Sequence, residues 1–203
     1  MIVVKLGGSL SQSDALIKCL NSVEQIYQGR AIVIVPGGGA FADQVRLAQQ
    51  RWQFDDKTAH SMAILAMQQM ALLIKGLKSD FSIARSVTDI RKQLLRQKIV
   101  IWSPDIAELV CAGVQASWDI TSDSLAAWVA KAVQARELIL VKSAIIDSSL
   151  SLEQLAKQNI IDNGFCDFVI QAAFKIQVIN QQNFVTIQNQ HLLRSYKNFN
   201  YSP

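Results

Sequence analysis

The sequence predicts a doubly wound α/β fold, on three observations. Short β-branched runs recur along the first 142 residues, segments with helical spacing separate them, and glycine clusters follow the first two runs. The runs are nearly continuous in Val, Ile and Leu instead of alternating with polar residues, as strands covered on both faces of a parallel sheet must be. Strand and helix then take turns, which is the order that crossover connections require.

The first strand is "IVVKL" at 2–6, running straight into "GGS". Ser9 or Ser13 is placed to cap the next helix, on which Leu16, Leu20, Val23 and Tyr27 form one apolar stripe. "AIVIVP" at 31–36 is the second strand, followed by Gly37, Gly38, Gly39 and a helix beginning near Ala40 with Phe41, Val45, Ala48 and Trp52 on one face. Residues 57–78, rich in Ala, Met, Leu and Gln with Gly76 near the end, predict a long helix across the mouth of a site. "KIVIW" at 98–102 and "LILVK" at 138–142 are further strands. Beyond them "SSLSLEQLAKQN" reads as a short capped helix, "KIQVI" and "FVTI" as small strands, and "RSYKNFNYSP" as a frayed tail. With 203 residues, half of them apolar, and no internal repeat, one domain over 1–203 is expected.

Composition narrows the function classes. Twenty Lys and Arg against sixteen Asp and Glu give a charge of +4, which suits the collection of small anions. The basic residues are scattered and form no run of five, so no nucleic-acid partner is expected. Cys19, Cys111 and Cys166 are odd in number and far apart, which argues against disulfides or structural zinc and reads as buried thiols in a reducing cytoplasm. No uncharged apolar stretch reaches eighteen residues, so no membrane partner is expected and the location is read as cytoplasmic. Two histidines exclude a multi-histidine metal centre, and neither a Ser-His-Asp order nor H-E-x-x-H is present, so no metal-ligating residues are assigned.

Candidate site residues lie at the ends of the strands, where ligands of such folds bind. Gly7, Gly8 and Ser9 free backbone amides at a strand end, and Lys5 just before them reaches the same charge; a tight turn with a snorkelling lysine accounts for them equally well. In "VPGGGAFADQVR" a turn needs one or two glycines, so the third suggests close approach of an anion to the backbone. Asp43 and Arg46 follow on the exposed side of the helix, as an ordinary surface pair or as ligand contacts. In "WDITSDSLAAWVA", Asp119 and Asp123 would share a face if both were helical, with Thr121 and Ser122 as helix starters. Asp123 either orders lysine ammonium groups in the cleft or complements the helix dipole. Lys142 closes an apolar strand, a location that normally faces the crevice, and reads as a site cation or as a surface lysine, while His60 shares a stripe with Ile64, Met67, Ala71 and Ile74 that suits a core histidine first and a phosphate ligand second.

Together, "VVKLGGS", "VPGGGAFADQVR" and "TSDSLAAWVA" followed by "LVKS" resemble the amino acid kinase superfamily over about residues 1–145. "DDKTAHSMAILAMQQ" and "WDITSDSLAAWVAKA" look most like its short branch of aminomethylfuranmethyl phosphate kinases of methanofuran biosynthesis. The resemblance implies an open αβα sandwich with a mainly parallel sheet, an acceptor-binding half at 1–112 and a shortened nucleotide-binding half at 113–203. It implies ATP and Mg²⁺, transfer without a covalent enzyme intermediate, and a homo-oligomer, for which "SMAILAMQQMALLI" and "SPDIAELVCAGV" are candidate faces. Lys5 is placed beside the transferred phosphoryl group, Gly7, Gly8, Gly38 and Gly39 around phosphates, Asp123 as organiser of the lysines, Lys142 as a second cation, and His60 near the acceptor's phosphate. The expected reaction is phosphorylation of a phosphate monoester to a diphosphate. Isopentenyl phosphate, a nucleoside monophosphate or an amino acid carboxylate are alternative acceptors, and a non-catalytic anion-binding protein is the alternative class. After Lys142 the chain reads "VKSAIIDSSLS" where relatives carry a T-D-V-D-G-like segment, so no ATP contacts are assigned there.

Overall fold

The computed structural model describes residues 1–26, 29–96 and 99–186. Six strands form one parallel sheet: β1 (Ile2–Leu6), β2 (Ile32–Pro36), β3 (Ser82–Ala84), β4 (Ile99–Trp102), β5 (Glu137–Lys142) and β6 (Lys175–Asn180). Their spatial order is β3-β4-β2-β1-β5-β6. The helices are α1 (Ala15–Ile26), α2 (Gly39–Trp52), α3 (Asp56–Leu77), α4 (Val87–Leu94), α5 (Ile106–Cys111), α6 (Ser122–Ala132), α7 (Leu152–Lys157), α8 (Phe165–Val169) and α9 (Gln181–Thr186).

The two-residue period of the strands sorts their side chains into two cores. Val3, Val33, Val35, Leu138 and Leu140 face α6 with Leu125, Ala126 and Val129. Ile2, Val4, Leu6, Ile139 and Val141 face the opposite layer, where Leu16, Leu20 and Phe184 cover them. This is an αβα sandwich, as the family resemblance implies, and its parallel sheet is the one the strand pattern predicts. The alternation also has a consequence for chemistry: Lys5 continues the Val3 side and Lys142 the Leu140 side, so both lysines emerge on the face that carries α6.

Several expectations needed correction. Strand β3 has three residues and no apolar run to announce it. "FVTI" is not a strand; residues 184–186 close α9, which starts where Asn180 Oδ1 accepts the Gln182 amide at 2.8 Å, and Ile187 lies outside the described residues. On α2 only Val45 of the expected stripe is buried, while Trp52 is 70% exposed. Of the cysteines only Cys19 is buried, and burial pushes its thiol up to about 12; Cys111 is exposed and Cys166 half-buried. Tyr27 and the tail at 194–203 lie outside the described residues. The long helix is found at Asp56–Leu77, and the capped helix at α7 has the reciprocal Ser151–Gln154 capping box.

Candidate active site

The sheet order changes direction at β1, with β2 on one side and β5 on the other, and a crevice opens beyond the carboxyl ends of these strands. Lys5, one residue before the end of β1, and Lys142, at the end of β5, reach the same carboxylate. Lys5 Nζ lies 2.7 Å from Asp123 Oδ1, within salt-bridge distance but outside hydrogen-bond angles, and Lys142 Nζ donates to Asp123 Oδ2. Lys5 and Asp123 are only 3% and 1% exposed. Burial opposes ionisation of Asp123, but the two lysines outweigh it and hold the carboxyl at about 2. Burial lowers the Lys142 pKa and Asp123 partly restores it. This is an ion-pair network, so Asp123 does more than complement a helix dipole.

The glycine loops lie beside this cluster, and they are glycine-rich for a reason the sequence did not reveal. They pack backbone against backbone. A Cβ on Gly8 would stand 2.3 Å from the Gly39 nitrogen, and one on Gly37 would stand 2.5 Å from the Gly8 nitrogen. Gly39 has φ +55, and its Cβ would meet Gly8 O at 2.9 Å. Gly38 has φ −69, and its Cβ would meet the Ala42 methyl at 2.5 Å. The expectation that all the glycines offer amides to an anion is therefore corrected. Gly7 donates to Val141 O and Gly37 to Leu6 O, both at 2.9 Å, so these two hold the loops in place. Among the described residues the amides of Gly8, Gly38 and Gly39 make no hydrogen bond, and these three glycines line the cleft.

That cleft is bounded by Ser9, Asp43, Arg46, His60, Trp118 and Ser122 among others. Ser9 Oγ is 2.8 Å from Ser143 Oγ, which links the first glycine loop to the segment after β5. Arg46 stacks 3.8 Å from the Trp118 ring centre, and Trp118 is fixed by donating to Gln49 Oε1 at 2.6 Å. Asp43 and Arg46 are thus not a surface ion pair; both face the cleft, and Asp43 has no ion-pair partner among the described residues. His60 is buried as the stripe predicts, yet it also reaches the cleft wall. Its Nδ1 donates to Ser117 O at 3.2 Å, and burial lowers its pKa despite that bond. The neutral ring then keeps only a lone pair at Nε2, so holding a phosphate there requires uptake of a proton.

Asp119 does not share a helical face with Asp123. It sits in an exposed turn before α6, where its carboxylate accepts Asn163 Nδ2 at 3.0 Å. Ser122 is the buried first residue of α6. One important group was missed altogether. Asp162, in the loop between α7 and α8, accepts five hydrogen bonds from Thr121, Asp123 and Ser124. "IIDNG" looks like an ordinary turn, and nothing local in it signals a partner some forty residues away.

Residues 1–144 match the model of the amino acid kinase family. The chain is 31% identical over 144 residues to the [5-(aminomethyl)furan-3-yl]methyl phosphate kinase of Methanocaldococcus jannaschii, a match covering 69% of this chain and 64% of that protein's length. Uridylate kinase from Archaeoglobus fulgidus superposes with a TM-score of 0.71 at 19% identity, over 92% of this chain and 94% of its own. UMP kinase from Ureaplasma parvum gives 0.69 at 17% identity, over 96% and 92%. The chain belongs to the amino acid kinase family.

Proposed function

We propose that the protein is a small-molecule kinase that transfers the γ-phosphoryl group of ATP to a phosphate monoester, giving a diphosphate. The observation that carries this reading is the convergence of Lys5 and Lys142 on Asp123 beside the unbonded amides of Gly8, Gly38 and Gly39. Phosphoryl transfer has a loose transition state whose charge spreads over peripheral oxygens, so positioned cations and amides supply most of what it needs. An oxygen of the acceptor's phosphate attacks the γ-phosphorus, the bond from that phosphorus to the β,γ-bridging oxygen breaks, and its electron pair leaves with ADP. The acceptor is already ionised, so no strong base is required. The task of the site is to screen two anions from each other, and two lysines held by one carboxylate do so.

The acceptor is bound mainly by the half formed by 1–112, with Trp118 reaching it from the other side of the cleft, and the nucleotide by the half formed by 113–203. Both oxygens of Asp123 face lysines and those of Asp162 face α6, so neither carboxylate is free for a metal, and Mg²⁺ brought in with the nucleotide would supply charge neutralisation. The relative from Methanocaldococcus jannaschii is named for an acceptor with an aromatic ring, an amine and a phosphate. This cleft offers a partner for each: the fixed Trp118 ring for the furan, the unpaired Asp43 for the ammonium, and the glycine amides for the phosphate. [5-(Aminomethyl)furan-3-yl]methyl phosphate, a methanofuran precursor, is the acceptor that fits. No helix among the described residues is long and apolar enough to cross a membrane, in keeping with a cytoplasmic enzyme. Leu65 and Leu72, exposed on the outer face of α3, suit a homo-oligomer, which light scattering would measure.

The test is incubation with Mg-ATP and a panel of phosphate monoesters, following ADP and diphosphate. The aminomethylfuran phosphate is expected to be the best acceptor, and Asp43→Asn to raise its KM roughly two- to fivefold, up to about 1 kcal/mol, as loss of an exposed ion pair does. The KM of an analogue lacking the amine should not move. ADP release with none of the acceptors would refute the kinase reading, and equal effects on both acceptors would remove Asp43 from amine recognition.

A further inference from the structure

The N-terminus of α6 is capped from a distance. Thr121 holds the N-cap position but makes no cap hydrogen bond with its own side chain. Its hydroxyl instead donates to Asp162 Oδ1 at 2.5 Å. Asp162 Oδ2 accepts the amides of Thr121 at 2.9 Å, Asp123 at 3.1 Å and Ser124 at 2.9 Å, together with the Ser124 hydroxyl at 3.1 Å. The amide of Asp162 in turn donates to Asp123 Oδ2 at 3.3 Å, the oxygen that also receives Lys142. Residue 162 therefore holds residue 123 by its backbone and by its side chain at once.

We infer that Asp162 is a positioning residue for phosphoryl transfer: an internal anion seated at the α6 N-terminus that sets the orientation of Asp123 and, through it, of Lys5 and Lys142. Three arguments support this. A carboxylate with five donors is firmly placed, since charge-assisted hydrogen bonds are the strong kind. Asp162 forms no ion pair with either lysine, but burial and the neighbouring Asp123 raise its carboxyl pKa while the Lys5 charge and the bonds from Thr121 and Ser124 lower it, so its ionisation is tied to the groups that it positions. The amides at the start of α6, which would otherwise attract a ligand's phosphate, are already occupied, so the polyphosphate is directed to the lysines and to the open end of α2. Asp162 itself touches no reacting group, and its effect on turnover rests on the kinase reading above, whereas its effect on the lysines does not.

The experiment compares wild type with Asp162→Asn and Asp162→Ala by kinetics, melting temperature and ¹⁵N NMR of the lysine ammonium groups. Asp162→Asn keeps an acceptor oxygen and is expected to fold, while kcat falls about ten- to a hundredfold, the usual cost of losing outer support of a site. Both KM values should stay within about threefold, because no substrate contact is removed. Ion pairs with Asp123 should slow solvent exchange of the Lys5 and Lys142 ammonium groups in wild type, and these signals should broaden in Asp162→Asn. Formate, but not chloride at equal ionic strength, should raise the melting temperature of Asp162→Ala by refilling the carboxylate position. A folded Asp162→Asn protein with wild-type kcat and unchanged lysine signals would overturn the inference. So would a variant that loses stability alone, with full turnover per folded molecule, since that is a structural cap only. Should wild type prove to have no kinase activity, the proposed function fails, and unchanged lysine signals in Asp162→Asn would still refute the positioning role.

Discussion

Two helices begin at this crevice, and the molecule treats their N-termini in opposite ways. At α2 the capping position is Gly38, with no side-chain cap, and Gly38 and Gly39 line an open cleft. At α6 the amides of Thr121, Asp123 and Ser124 all end on the carboxylate of Asp162. Both ends carry the same partial positive charge. What differs is the cap: no side chain supplies one at α2, whereas the protein seats its own carboxylate at α6. The contrast assigns tasks, since an uncapped helix end costs stability unless water or a ligand satisfies it, whereas a filled one can serve as a rigid base for Asp123.

The sharpest way to break the α6 side is Asp123→Asn. This substitution takes from buried Lys5 and partly buried Lys142 the carboxylate that they share, and loss of one partner from such a network costs about 3–5 kcal/mol. The variant should melt well below wild type and have almost no turnover, so a melting curve beside steady-state kinetics checks both. An unchanged melting temperature would mean that Lys5 and Lys142 are not held as described. Lys5→Ala comes next. It removes one preorganised cation beside the transferred group, and kcat should drop roughly a hundredfold or more. Circular dichroism should show an intact fold, and near-wild-type turnover would take Lys5 out of the mechanism.

Acid titration sharpens the same comparison. The Asp123 carboxyl lies at about 2, below its ordinary value of 3.8. Its folded pKa is depressed, so its stabilisation is present above the ordinary value and is lost as pH falls toward 2, a contribution of about 2 kcal/mol. The gap in stability between wild type and Asp123→Asn should therefore narrow as pH drops from about 4 to 2, which urea titrations at several pH values would measure. At the alkaline end the lowered Lys142 pKa predicts that activity declines below the ordinary lysine value of 10.5 as the ammonium deprotonates.

The smallest effect belongs to the α2 side. Gly39→Ala places a Cβ at φ +55 and 2.9 Å from Gly8 O, and a left-handed backbone costs a non-glycine residue about 1–2 kcal/mol before any clash. Thermal melts should show that loss. Gly38→Ala meets the Ala42 methyl and not the cleft, so it too should appear as lost stability and not as altered phosphate affinity. A stable Gly38→Ala protein with weakened substrate binding would show that the loop is seated differently.

The part of this arrangement that was legible in the sequence is the part encoded locally. β1, β2, β4 and β5 announce themselves by apolar runs, and Lys5 and Lys142 stand out because each interrupts or ends such a run. Their meeting at Asp123 follows from strand parity, which places both on one face of the sheet. Reach across the fold was not legible. Nothing near Asp162 indicates that it caps α6, and nothing in "GGS" indicates that its glycines make room for those of "GGG". Asp119 shows the reverse error. Its spacing from Asp123 implies a shared face only if the helix starts earlier than Ser122, and the turn at 117–121 prevents that.

The central claim is direct transfer between two anions steered by the lysines around Asp123, with no protein nucleophile taking part. The stereochemical course at phosphorus tests it most directly, using ATP made chiral at the γ-phosphoryl group with oxygen isotopes and sulfur, and the aminomethylfuran phosphate as acceptor. One in-line displacement inverts the configuration, so inversion in the diphosphate product is the expected result. Retention would require two displacements through a phosphorylated side chain and would contradict the account, as would ATP turnover that leaves the acceptor unmodified.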